Sequence, residues 1–315
     1  MQRYAAKPIT NSSKLLIPAF LVFGDSTVDS GNNNYMGTFL KANHTPYGNE
    51  FPGHIATGRF CNGRLVTDYV ASMVGLKESI PAFMHPNLSD YDIQTGVSFA
   101  SAGSGYDNLT CVISGANPVL NQIEDFHKYL ARLKGIVGEE EAMKIIKGAL
   151  VIISAGTNDF IFNFYDIPTR RLQFNADGYN DYLQSKLQIL IKQLYDLGCR
   201  KVAVVGLPPI GCLPLQMSLR FQNPLNRKCI ERQNVNAQNY NKKLVNLLST
   251  LRANLPETKI EYADAYEIFD DMINNPEKYG KLIQPKTGTC NCTTRGIVET
   301  KKDVWHRIGG GRTHV

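Results

Sequence analysis

The chain contains short apolar runs that are not broken by polar alternation, and they stop abruptly on small or polar residues. Ala149-Leu150-Val151-Ile152-Ile153-Ser154 delivers Gly156-Thr157-Asn158-Asp159, and Ala19-Phe20-Leu21-Val22-Phe23 delivers Gly24-Asp25-Ser26. Continuous runs of this length suit parallel strands buried on both faces. The pattern predicts strands at 17–23, ending near Phe99, at 149–154, at 201–205 and at 259–263.

Between these runs the apolar residues recur at helical spacing. Leu65, Val66, Tyr69, Val70, Met73 and Val74 give one face, with Asn62 as the expected N-cap. A second helical stretch covers about 118–148, with interruptions near Gly135 and Gly138. Leu183, Leu187, Leu190, Ile191, Leu194 and Leu197 define a third, closed by Gly198. Tyr240, Leu244, Leu247, Leu248 and Leu251 define a fourth, ending before Pro256, and 265–275 a fifth. Strands alternating with helices require a parallel sheet with right-handed crossovers and helices on both faces. A chain of 315 residues is compatible with one such domain. We expect a loose segment at 1–16, one domain over 17–300 and an atypical tail at 301–315.

Three of the strand ends carry chemistry. Ser26 follows a buried parallel strand at its carboxyl end, where open α/β sheets place their crevices, and is a candidate nucleophile. Gly103 and Gly105 offer backbone N–H groups that a reacting oxygen can approach closely. Asn158 offers a side-chain amide donor. The simpler reading makes Ser26 a turn residue, Gly103 a tight turn and Asn158 a helix cap. Asp25 and Asp159 flank the same edge, and we expect them to serve as hydrogen-bond acceptors for the loops. No Gly-x-Ser-x-Gly elbow is present.

The blocks around these residues add a resemblance. Phe23-Gly24-Asp25-Ser26 with Asp29-Ser30-Gly31-Asn32-Asn33 resembles the first block of the plant GDSL esterase/lipase family, within the SGNH hydrolases. The resemblance continues at Ala56-Thr57-Gly58-Arg59-Phe60 with Asn62-Gly63-Arg64, and at Gly96 to Gly105. It recurs at Gly156-Thr157-Asn158-Asp159 and at Gly206 to Cys212 with Pro214. It implies a flavodoxin-like three-layer α/β/α sandwich and cleavage of carboxylic esters through an acyl-serine, without a cofactor. Ser26 is then the nucleophile, and the N–H of Ser26, the N–H of Gly103 and the side chain of Asn158 form the oxyanion hole, with Gly105 a rival to Gly103. The implied substrate is a lipid, an acylated sugar or another plant ester.

The family carries Asp-x-x-His near its carboxyl end, and Asp303-Val304-Trp305-His306 has that spacing. Its flanks differ. Lys301-Lys302 stand where the family has an aromatic pair, and Arg307-Ile308-Gly309 where it has Pro-Thr. The family-like sequence is expected to end around Glu299-Thr300, with a replaced tail beyond. Two readings follow: Asp303 and His306 supply the catalytic base, or the tail is a basic segment in which Gly309-Gly310-Gly311 blocks regular structure. The second leaves a fold-retaining binding protein with impaired catalysis.

Composition narrows the remaining classes. Net charge is +6, and no block of five or more basic residues occurs, so no nucleic-acid partner is expected. No apolar run approaches the ~18 residues that span a bilayer. Lys14 to Phe23 reads as strand rather than as a secretory leader, because removing it would remove the strand before Ser26. The resemblance nonetheless implies secretion. Sequons at Asn11, Asn43, Asn87, Asn108 and Asn291 suit that route. The seven cysteines lack paired metal-ligand spacing, so no metal is expected. Across the loop-rich segment, Cys212 and Cys229 are the first choice for a disulfide.

Overall fold

The computed structural model describes residues 17–220 and 228–279. Four parallel strands form one sheet in the order β1 (Phe20–Gly24), β2 (Leu150–Ser154), β3 (Lys201–Val205) and β4 (Lys259–Ala263). Every residue of β1 and β2 is buried, as their unbroken apolar runs require. Successive side chains of a strand point to opposite faces. Leu21, Phe23, Val151, Ile153, Val202 and Val204 enter one core, while Phe20, Val22, Leu150, Ile152 and Ala203 enter the other.

The helices divide between these two faces. On the smaller side, α1 (Val66–Met73) contributes Val70 and Ala71. On the larger side lie α2 (Asp90–Thr95), α4 (Gln122–Val137), α5 (Glu139–Gly148), α6 (Ala176–Asp196) and α8 (Glu231–Asn254). The result is a three-layer α/β/α sandwich. Among the described residues, α3 (Asn108–Ser114) and α7 (Pro214–Arg220) are short and stand by the loops, and α9 (Tyr266–Asn274) follows β4.

Three expectations change. The strand ending near Phe99 shrinks to one parallel bridge, Val22 to Ser98. It still borders β1, because Val22 N–H donates to Val97 O at 3.1 Å and Phe99 N–H to Val22 O at 2.7 Å. Ser101 N–H still reaches Gly24 O at 3.0 Å, but Gly24 N–H bonds to the Gln122 side chain at 2.9 Å, so no regular ladder grows. Asn62 is not the cap of α1, which starts at Val66; its first turn is tied by Leu65 N–H donating to the Asp68 carboxylate at 2.8 Å. The 118–148 stretch breaks only at Gly138, with φ of 81°, while Gly135 lies within α4.

This topology places the crevice. The chain leaves β1 for its 97–99 neighbour on one side, then crosses to β2 on the other. The loops after β1 and β2 therefore diverge at the carboxyl end of β1, where α/β sheets bind ligands. Arg59 anchors the long first loop beneath them. Its guanidinium forks onto Asp68 at 2.9 and 3.1 Å in a buried pair.

Candidate active site

Strand β1 ends on Gly24 at φ 142°. A Cβ there would lie 1.9 Å from the Ser154 carbonyl oxygen, so only glycine lets the two strands meet. Asp25 N–H donates to that same oxygen at 3.0 Å, and Val28 N–H closes a turn onto Asp25 O at 3.2 Å. Ser26 sits in this turn, half-buried, and its hydroxyl and backbone N–H have no partner among the described residues.

The next loop, 101–105, is stitched beneath it. Gly24 O accepts from Ser101 N–H at 3.0 Å and from Ser104 Oγ at 2.8 Å. Asp29 accepts from Gly31 and Asn32 N–H on one oxygen and from Ala102 N–H on the other, at 2.8, 2.8 and 3.0 Å. Asn32 and Asn33 donate to Ser98 O, Ala100 O and Ala102 O. The Asp29-Ser30-Gly31-Asn32-Asn33 block is thus a fastener between the first loop and the glycine loop.

Gly103 and Gly105 differ in what they face. Gly103 has φ 84° and its N–H has no partner among the described residues. The Gly105 N–H faces the buried Cys111 sulfur, and a Cβ at Gly105 would lie 2.2 Å from an Asp159 carboxylate oxygen. Asn158 follows β2 and donates through Nδ2 to Ser104 O at 2.9 Å. Its second amide hydrogen has no acceptor among the described residues. Ser104 therefore ties the Ser26 strand end, the glycine loop and Asn158 together.

Asp25 and Asp159 act as loop acceptors. Asp25 receives Thr27 N–H at 2.9 Å and Thr27 Oγ1 at 2.8 Å; burial raises its carboxyl from 3.8 to about 6. Asp159 begins a π-helical turn, Asp159–Asp166, and is fully buried. It accepts from Tyr106 and Asp107 N–H at 2.9 and 3.0 Å and from the Thr110 hydroxyl. Burial raises it to about 7, against these donors. Beside it, Asp107 receives a two-point bond from Arg170 at 2.6 and 2.8 Å. The Asp107–Arg170 pair and the bond from Gly24 N–H to the Gln122 side chain carry no sequence signal, since the partners are 63 and 98 positions apart.

Other nucleophiles and bases are less suited. Burial pushes the Cys111 and Cys199 thiols up to about 12, which keeps them protonated. His44, His54, His85 and His127 are exposed. Asp303 and His306 lie outside the described residues. Cys212 and Cys229 form the expected disulfide, with Cα atoms 4.3 Å apart. Among the described residues no group of three His, Cys, Asp or Glu is placed to hold a metal, and no helix is long and apolar enough to cross a membrane.

The fold is a three-layer α/β/α sandwich with its crevice at the carboxyl edge of a parallel sheet, and the sequence comparisons give its family. The chain belongs to the GDSL-like lipase/acylhydrolase family, whose profile matches residues 20–307, a span that includes Asp303 and His306. It is similar to three Arabidopsis thaliana proteins named as GDSL esterase/lipases. At1g06990 is 49% identical over 90% of this chain and 78% of its own length. At2g30310 is 51% identical over 90% and 79%, and At2g24560 is 52% identical over 89% and 77%. The enzyme class is that of carboxylic ester hydrolases.

Proposed function

We propose that this chain hydrolyses its ester through Ser26, with the Ser26 N–H, the Gly103 N–H and the Asn158 side-chain amide as the oxyanion hole. The observation that carries this reading is a coincidence of unpaired donors. The Ser26 N–H, the Gly103 N–H and the second amide hydrogen of Asn158 lack partners among the described residues, on loops tied together by Ser104 at the carboxyl edge of the sheet. Of these, the Gly103 N–H is buried, where unpaired donors are rare, and Ser26 and Asn158 are half-buried at the same edge; donors left open in this way suit a ligand oxygen.

In this reading Ser26 Oγ bonds to the ester carbonyl carbon while its proton passes to His306, oriented by Asp303. The oxyanion sits on the three donors. The bond to the alkoxy oxygen then breaks, and that oxygen leaves with the proton from His306. Water, deprotonated by the same base, attacks the acyl carbon; the bond to Ser26 Oγ breaks, His306 returns the proton to Oγ, and the acid leaves. Gly105 is the less suitable donor, because its N–H is turned to the Cys111 sulfur.

The substrate we propose is a lipid, acyl-sugar or other plant ester. A secretory route is supported by the Cys212–Cys229 disulfide and by three exposed sequon asparagines, Asn43, Asn87 and Asn108. The test is turnover of a short-chain nitrophenyl ester by the full chain beside Ser26→Ala and His306→Ala. Loss of activity in both supports the complete catalytic set. A wild-type rate equal to that of Ser26→Ala favours the impaired-catalysis alternative, which the altered flanks of Asp303 and His306 motivate.

A further inference from the structure

The first residue of α4, Gln122, is a fully buried side chain that the ester-hydrolysis chemistry does not use. Its carboxamide reaches 98 positions back to the end of β1. Oε1 accepts from Gly24 N–H at 2.9 Å, and Nε2 donates to Gly24 O at 2.9 Å. Longer contacts run from Nε2 to Ser104 Oγ at 3.4 Å and to Asn117 O at 3.3 Å.

A peptide chain has two soft dihedrals per residue, and each peptide group is a rigid plane. Gln122 holds the plane on each side of Gly24, one through its N–H and one through its carbonyl. With both planes held, Gly24 is kept at φ 142°, which residues with a side chain rarely adopt. The plane that carries Gly24 O also carries Asp25 N–H, which is bonded to Ser154 O. The direction in which the chain enters the Ser26 turn follows from that plane. The same amide touches Ser104, next to Gly103 and bonded to Asn158. One side chain therefore contacts both the strand that delivers Ser26 and the loop that delivers the second oxyanion donor.

We infer that Gln122 is a positioning residue for the oxyanion hole. It fixes the aim of the Ser26 N–H relative to the Gly103 N–H, so that both meet one developing oxyanion. The inference rests on the Ser26 reading above. Misaiming such donors affects the transition state more than the bound ester, because the ground-state carbonyl demands less of them.

The experiment uses the full chain with Gln122→Met, Gln122→Glu and Ser104→Ala. It measures kcat and KM on nitrophenyl butyrate, inhibition by an alkyl boronic acid that mimics the tetrahedral state, and covalent labelling of Ser26 by a fluorophosphonate. We expect kcat to fall by roughly ten- to a hundredfold in both Gln122 variants. KM should stay within about twofold, and boronate affinity should fall in parallel with kcat/KM. Ser104→Ala should show a smaller loss of the same kind. Gln122→Glu keeps the shape and one acceptor, so it and Ser104→Ala carry the test if Gln122→Met does not fold. Unchanged kcat, or a loss that matches the unfolded fraction while boronate affinity per folded molecule is unchanged, overturns the inference. If wild-type Ser26 is not labelled, the nucleophile assignment fails and takes the inference with it. Labelled Ser26 with unaffected Gln122 variants overturns the positioning role alone.

Discussion

Replacing Asp159 by asparagine sets two opposing effects against each other. The carboxylate is buried and surrounded by donors: Tyr106 N–H, Asp107 N–H and the Thr110 hydroxyl. An asparagine NH2 in place of one oxygen would face a donor, leaving two buried polar groups without partners. At about 1–3 kcal/mol each, this costs roughly 2–6 kcal/mol. Against this, the amide removes a group whose ionised form is disfavoured by burial. Its carboxyl is raised from 3.8 to about 7. The native state therefore holds a proton that the unfolded chain releases near pH 4. Stability from this group is fully present below pH 3.8 and is lost as the pH rises through 7. Between pH 8 and pH 5 the wild type should gain roughly 3 kcal/mol that the variant does not. Asp25 and Asp29, both raised to about 6 by burial, titrate in both proteins and cancel in the difference. Urea unfolding of the two proteins at pH 8, 6.5 and 5 measures it, and the destabilisation by asparagine should be larger at pH 5 than at pH 8. A difference that stays constant across this range would show that the three donors outweigh burial and keep Asp159 ionised, and would refute the reasoning.

Arg170→Met should destabilise by about 3–5 kcal/mol, because it leaves the Asp107 carboxylate, 1% exposed, without its cation; denaturant midpoints measure it. Gly24→Ala should give an inactive and poorly folded chain, since its Cβ would meet the Ser154 carbonyl at 1.9 Å; circular dichroism and ester turnover report both effects. Opening the Cys212–Cys229 link, which closes a sequence separation of 17, should cost about 3 kcal/mol. Comparing urea midpoints with and without reductant checks this, and equal midpoints would show that the bridge adds no stability.

The fold was legible where one element carries its own signal. The runs at 17–23, 149–154, 201–205 and 259–263 are apolar enough to identify themselves, and the helix ending at Gly198 has both its leucine spacing and its stop. Signals shared between distant segments were not legible. Residues 97–99 look like a strand, yet the Gly24 N–H goes to Gln122 and the small residues after Phe99 also bond to Asp29, Asn32 and Asn33, so no regular ladder forms. The start of α1 is set by Asp68 reaching back to Leu65, and Asn62 only mimics a cap. At the site, Ser26 and Asn158 stood out because each follows a strand directly. Gln122 did not, because a glutamine at the start of an amphipathic helix looks like a solvent-facing residue. Its meaning depends on where it lands: the Gly24 N–H at the end of β1 takes its acceptor from α4, 98 positions along the chain. A glycine required by a close strand approach and a buried amide far along the chain are thus two halves of one constraint. Gln122→Met and Ser104→Ala, whose side chains both donate to Gly24 O, should accordingly couple, the double variant losing less activity than the product of the two single losses.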